Sequence, residues 1–120
     1  MHSSLGPVCW IEASLVQRIE DLETPAILVD LDIVERNVRS MAEYVSAHRL
    51  GLRPHTKTHK MPELAKMQLA AGARGVTVAK AGEAEVLAAA GIDDILIAYP
   101  VFGASKWTRI AQLARERHVT

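Results

Sequence analysis

A single cysteine, Cys9, stands in 120 residues, so the chain has no internal disulfide and is not a small secreted scaffold stapled by bridges. It reads as a small buried or idle apolar residue in a reducing compartment. Aromatic residues make up only 4% of the chain, too few for a base-stacking platform. Neither sign of charge is in excess: 14 Lys and Arg face 14 Asp and Glu. That balance leaves no electrostatic footprint for nucleic acid or an anionic membrane. No apolar run approaches the roughly 20 residues of a membrane span. The opening Met1-His2-Ser3-Ser4-Leu5-Gly6-Pro7 lacks the basic and long apolar regions of a signal peptide. The cytoplasm is the expected location. Nucleotide-binding glycine loops of the GxGxxG and GxxxxGK[ST] types are absent after every candidate strand.

What remains is an ordinary globular composition, 49% hydrophobic and 23% charged, on a length that suits one modest domain. Residues 1–22 have no clear period and are expected to be an amino-terminal extension, in which residues 8–19 have the composition of a short helix. From residue 23 onward the texture changes to apolar strands alternating with amphipathic helices. Ala26-Ile27-Leu28-Val29 predicts a buried strand. Asp32 with Glu35 three residues on has capping-box spacing, and Val34, Val38, Met41 and Val45 form one helical face ending near Gly51. Residues 52–57 read as an extended segment, with Pro54 unusual for an interior strand. Pro62 opens a second helix with Leu64, Met67 and Ala71 inward.

Next comes an internal echo. Ala70-Ala71-Gly72-Ala73-Arg74-Gly75-Val76-Thr77-Val78-Ala79 shares its plan with Ala89-Ala90-Gly91-Ile92-Asp93-Asp94-Ile95-Leu96-Ile97-Ala98. Each is a helix end, a glycine able to take a left-handed cap, a turn and an apolar strand. Strands apolar on both faces and separated by helices predict a parallel sheet covered by helices. A last helix over residues 105–117 would bury Trp107, Ile110 and Leu113 or Ala114, with a further strand starting at His118. The fold class is α/β. Composition leaves open a doubly wound sheet or part of a (β/α)8 barrel, and the abrupt end favours the barrel.

Chemistry concentrates in Arg53-Pro54-His55-Thr56-Lys57-Thr58-His59-Lys60. In extended chain Arg53, His55 and Lys57 share a face, and Lys57 falls at the carboxyl end, where parallel α/β folds bind ligands. A lysine aimed inward there, away from water and beside other cations, is the kind of amine that forms Schiff bases. From the residues alone, a solvated basic loop is the stronger reading. His55 and His59, four apart, have metal-pair spacing on a helix, but the flanking prolines oppose a helix, and hydrogen-bonded histidines are expected. A phosphate-binding or metal-binding barrel using Arg53, His55 and His59 is the alternative from another class, although it lacks a glycine-rich cradle. Lys80 and Tyr99 sit at strand ends and read as caps before pocket residues. For Glu83 and Glu85, the dipole of a helix start is a sufficient account.

Four segments taken together carry a resemblance. They are Thr24-Pro25-Ala26-Ile27-Leu28-Val29-Asp30-Leu31-Asp32, the Arg53–Lys60 motif, Gly75-Val76-Thr77-Val78-Ala79-Lys80-Ala81-Gly82-Glu83-Ala84-Glu85, and Ala90-Gly91-Ile92-Asp93-Asp94-Ile95-Leu96-Ile97-Ala98. In that order they resemble the amino-terminal half of the D-threonine aldolase and D-serine dehydratase family, which has the alanine racemase-like fold of pyridoxal-phosphate enzymes. The resemblance implies that residues 23–120 are the first, incomplete portion of a (β/α)8 barrel. It implies that Lys57 is the catalytic lysine and binds pyridoxal 5'-phosphate, with His55 and Arg53 as further cofactor-binding candidates. It allows the strand at 26–30 to belong with a carboxyl-terminal β-domain. It implies a divalent metal (Mn, Mg or Zn) in the full-length protein, with no ligand for it in this chain, a small D-amino acid substrate and a homodimer. D-threonine aldolase chemistry is the leading expectation. D-serine dehydratase, an amino-acid racemase and a non-catalytic pyridoxal-phosphate-binding protein follow. By itself the 120-residue chain is expected to be inactive.

Overall fold

The computed structural model describes residues 18–120. Cys9 and nearly all of the helix considered over residues 8–19 lie outside them; a 3-10 turn, Ile19–Asp21, comes first. Helix α1 spans Leu31–Ala47. Its cap is one turn-position earlier than the Asp32/Glu35 spacing suggested: the Asp30 carboxylate accepts the Ile33 amide at 3.0 Å. A side chain there satisfies one of the orphan amides of the first turn. Val34, Val38 and Val45 are half-buried as expected, but Ala42 takes the fourth place and Met41 is exposed. The helix ends before Gly51, with Arg49 in the left-handed region (φ 55°). The Arg49 and Leu50 amides return to Ser46 and Val45 carbonyls.

The internal echo survives to the level of single hydrogen bonds. Helix α2 (Pro62–Ala70) and helix α3 (Ala81–Ala89) both end in a glycine at positive φ, Gly72 at 111° and Gly91 at 88°. The Gly72 and Ala73 amides bond to Leu69 and Gln68 carbonyls, and the Gly91 and Ile92 amides to Ala88 and Leu87. This paired closure is the Schellman motif, which satisfies free carbonyls and turns the chain into the next strand. Strands β1 (Val76–Val78) and β2 (Asp94–Ile97) follow, and β3 (His118–Val119) comes after helix α4 (Ala104–Leu113).

The three strands are parallel in the order β1-β2-β3, with Val76 opposite Ile95 and Asp94 opposite His118. Residues 52–56 run along the other side of β1. They form a single bridge, His55 to Thr77, because Pro54 has no N–H to give and enters only through its carbonyl, which accepts the Thr77 amide at 2.7 Å. Spatial order therefore follows chain order without reversal. The core, Val76, Val78 and Ile95 with Ala65, Ala84, Leu87, Ala88 and Ile92, lies between the sheet and α2 and α3. Leu113 of α4 packs on the same cluster. A sequential parallel sheet with helices on one face is the arrangement of a barrel wall, and half of a doubly wound sheet shares it; no switch point falls among the described residues.

Three expectations change. Residues 26–30 form no strand among the described residues: Ile27 is 95% exposed, and Leu28 and Val29 are exposed too. The segment pairs with no strand among the described residues. Helix α2 buries Ala65, with Leu69 beside it, while Ala71 is exposed. Of the expected Leu64, Met67 and Ala71, the first two are half-buried, but Ala65 takes the centre of the inward face. Trp107 in α4 is exposed and its indole N–H donates to the Val101 carbonyl at 2.6 Å; Ile110 and Leu113 are half-buried.

Candidate active site

The sheet has two unlike faces. Val76, Val78 and Ile95 point to the helices, so alternation sends Gly75, Thr77, Ala79, Asp94, Leu96 and Ala98 to the other, inner face. The bridge at His55 aligns Arg53 and His55 with this set. Side by side they form two levels, Arg53, Gly75, Asp94 and His118 at the amino end, then His55, Thr77 and Leu96; Ala79 and Ala98 follow at the carboxyl end, where the chain leaves the sheet in the turn that carries Lys57.

Arg53 belongs to the first level, at the amino end of the sheet, and is engaged there. Its Nε and Nη2 donate to Asp94 Oδ1 and Oδ2 at 2.7 and 2.9 Å. Arg74 Nε lies 3.5 Å from Oδ2, and His118 Nδ1 lies 3.4 Å from Oδ1. The Arg53 hydrogen bonds hold the Asp94 carboxyl below its ordinary range, against the opposing effect of burial. A forked guanidinium–carboxylate pair of this kind fixes geometry as well as charge. It crosses Gly75, where an added Cβ would stand 2.7 Å from Asp94 Cγ and 2.8 Å from its Cβ. Here the glycine is required by close approach. The cofactor role considered for Arg53 is not what its contacts serve; they brace the opposite end of the sheet.

Lys57 stands at the carboxyl end, in the turn that follows the bridge. Ala79 and Ala98, the inner-face residues at this end of the sheet, carry only methyl side chains. Lys57 is exposed; the expectation that it is screened from bulk water is not met by the described residues. The turn itself is fixed at its base. Thr56, 2% exposed, donates its amide (2.9 Å) and its hydroxyl (3.1 Å) to the Thr77 carbonyl. The Lys57 amide donates to His55 Nδ1 at 3.3 Å, and the Lys60 amide closes the turn on the Thr56 carbonyl at 2.7 Å.

His59 works on the far side of the turn. Its Nδ1 accepts the Met61 amide at 3.0 Å, which puts the ring proton on Nε2. That nitrogen is buried and lacks a hydrogen-bond partner, as does Gln68 Oε1 on α2. Burial lowers the His59 pKa. Among the described residues no group of three or more His, Cys, Asp or Glu side chains could hold a metal ion, and both histidines are committed to backbone amides. Lys80 is the N-cap of α3 and, with exposed Tyr99, lines a cleft of about 740 Å³ between the loops after β1 and β2.

Glu83 is the residue whose role the sequence reading understated. Its Oε2 accepts the Ala79 amide at 2.9 Å, and its Oε1 lies 3.5 Å from Lys60 Nζ. The Ala79 bond, ahead of the Lys60 charge, holds its carboxyl below the ordinary value. The signal was present: a glutamate three places after the cap can reach back to a free amide, as in a capping box. Glu85 instead forms a forked pair with Arg109 of α4, with Nε to Oε1 at 2.6 Å.

With this geometry in hand, comparison with known proteins is specific. The model of the alanine racemase N-terminal domain matches residues 29–119. A D-threonine aldolase of Arthrobacter sp. is 46% identical over 94 residues, covering 78% of this chain and 25% of the relative. A D-threo-3-hydroxyaspartate dehydratase of Delftia sp. (strain HT23) is 48% identical over 77 residues, 64% of this chain and 20% of the relative. The crystal structure of D-threonine aldolase from Filomicrobium marinum superposes with a TM-score of 0.82 at 44% identity, over 84% of this chain and 27% of that one. The chain thus spans about a quarter of the length of these relatives. They are lyases of the pyridoxal-phosphate-dependent class.

Proposed function

The chain belongs to the alanine racemase N-terminal domain family, and from that premise we propose that the whole protein is a pyridoxal-phosphate-dependent lyase of D-3-hydroxy amino acids. The proposed reaction is retro-aldol cleavage of the D-threonine aldolase type, with Lys57 as the lysine that carries the cofactor. The observation that supports this most directly is a primary amine in the turn at the carboxyl end of the parallel sheet, held at its base by Thr56 and His55. The residues present fit the group: Lys57 offers an exposed amine to bind its aldehyde, and Ala79 and Ala98 at this end of the sheet are small.

Pyridoxal phosphate, when bound, supplies a sink for the electrons released at the substrate Cα. The work of this chain lies around it. Lys57 would hold the cofactor's aldehyde through its amine, and that amine is the chain's own group placed to take up or give a proton. His55 Nδ1 takes the Lys57 amide and so sets the direction of the turn. Thr56 pins the base of that turn to β1. In the proposed reaction the β-hydroxyl loses a proton, the Cα–Cβ bond breaks and Cα gains a proton, giving glycine and an aldehyde. The described residues offer no ligand group for the divalent metal that the resemblance implies, so no step is derived through it.

Replacing Lys57 by alanine in the full-length protein should abolish the visible absorbance of the lysine-bound cofactor while far-ultraviolet circular dichroism is retained. Borohydride reduction followed by peptide mapping should tag residue 57; a tag elsewhere, or none, would sink the assignment. A second reading, elimination to a keto acid and ammonia, draws support from the dehydratase relative. Assaying D-threonine and D-serine side by side separates the two, since cleavage of the first releases acetaldehyde and elimination from the second releases pyruvate.

A further inference from the structure

We infer that Glu83 is a positioning residue for Lys57, a clamp that ties the turn carrying that lysine to the carboxyl end of β1. The inference rests on the assignment of Lys57 made above and extends it to a residue that touches neither cofactor nor substrate.

Two separate pieces of chain meet at this carboxylate. One oxygen accepts the amide of Ala79, the residue that follows β1; the other faces the ammonium of Lys60, three residues past Lys57. Lys60 is itself held in the left-handed region, φ 53°, which a residue with a Cβ keeps only where its surroundings fix it. Its amide is bonded to the Thr56 carbonyl, so residues 56–60 form one closed loop whose two ends are Thr56 and Lys60. Thr56 is secured to Thr77 of β1. Without Glu83 the Lys60 end would lack its tie to that strand.

The environment favours the clamp. The Glu83 side chain is only 15% exposed, whereas that of Lys60 is 60% exposed. A cavity of about 160 Å³ lies beside them, lined by Thr56, Gly82, Val86 and Leu87. At 15% exposure the carboxylate is largely withdrawn from solvent, where a charge-assisted hydrogen bond gains strength. It also stands in the first turn of α3, at the positive end of the helix dipole. A carboxylate held in its charged form and bonded to a main-chain amide is suited to fixing geometry, and unsuited to shuttling protons.

The test uses the full-length protein, first without cofactor. Glu83→Ala should speed amide hydrogen exchange over residues 57–61 by about tenfold, as loss of a local tie does, with little change in the distant strands. Glu83→Gln keeps an acceptor for the Ala79 amide and discards the charge, so it should fall between wild type and alanine. Lys60→Met should match Glu83→Gln. With cofactor loaded, the visible circular dichroism of the lysine-bound group should drop by about half or more in Glu83→Ala, in step with the freed turn, while borohydride still tags Lys57. Unchanged exchange over residues 57–61 would overturn the clamp. So would faster exchange spread evenly through the sheet with the visible dichroism intact, the mark of a merely structural residue. If Glu83→Ala fails to fold, the two milder variants carry the same comparison. If Lys57→Ala keeps the visible band, the cofactor assignment falls while the exchange measurement still decides the clamp.

Discussion

At the scale of single residues, the two histidines that flank Lys57 are engaged by amides only two positions away. His55 takes the amide of Lys57, and His59 takes the amide of Met61. This local pattern explains why a spacing of four between histidines does not signal a metal pair here. It also makes a pH prediction. Burial places the His59 pKa below its ordinary value of about 6.5. A base with a depressed folded pKa is protonated more readily in the unfolded chain, so its contribution favours folding above pH ~6.5 and turns against it as pH falls below that. Asparagine can accept the amide two residues on, in an Asx turn, and carries no titrating group. In the full-length protein, His59→Asn should therefore flatten the loss of melting temperature between pH 7 and pH 5. A variant that loses stability with the same slope as wild type would show that His59 is not the group responsible.

Elements were legible where their cause is local and obscure where it is not. The two helix–glycine–strand repeats were readable from sequence because a left-handed glycine, its two returning amides and the following apolar run lie within about ten residues of one another. The parallel sheet followed from them. Arg53 was not readable, because its partner Asp94 stands 41 residues away and across another strand. The strand expected at residues 26–30 failed for a related reason: an apolar run becomes a strand only beside an edge that pairs with it, and this one pairs with none among the described residues. The same non-local row supplies a test. Gly75→Ala forces a Cβ against Asp94, backbone included, beneath the Arg53 fork. Overpacking of this kind should cost about 3 kcal/mol and lower the melting temperature by several degrees. Gly51→Ala, with nothing within 4 Å, should stay within about 0.5 kcal/mol. Equal effects at the two glycines would remove the case for the row. Acidifying below the usual aspartate value of about 3.9 should narrow the Gly75→Ala deficit. A depressed carboxyl stabilises above that pH and loses the contribution as it protonates, so wild type loses there what the variant already lacks.

At the scale of the molecule, the described chain is a slab, 54 × 46 × 21 Å with a radius of gyration of 17.1 Å, against about 13 Å for a compact domain of this length. One sheet and one helix layer account for the short dimension. Parallel sheets are stable when both faces are covered, yet the inner face, with Thr77, Leu96 and Ala98, has no layer over it among the described residues. Ile27, Leu28, Val29 and Leu31 are exposed along the approach to α1, and Phe102 and Trp107 near α4. Exposed apolar surface of that extent drives association. The 120-residue polypeptide on its own should therefore self-associate in size-exclusion chromatography with light scattering and enhance the fluorescence of an apolar dye. It should also fail to hold pyridoxal phosphate, because an amine on an open wall lacks the enclosure that keeps a cofactor from exchanging with water. The full-length protein should be silent to the dye and keep its visible band through dialysis. A monomeric, dye-silent 120-residue chain with a stable visible band would mean that the slab closes its own site, and that the inner face is not the surface on which the rest of the barrel is built.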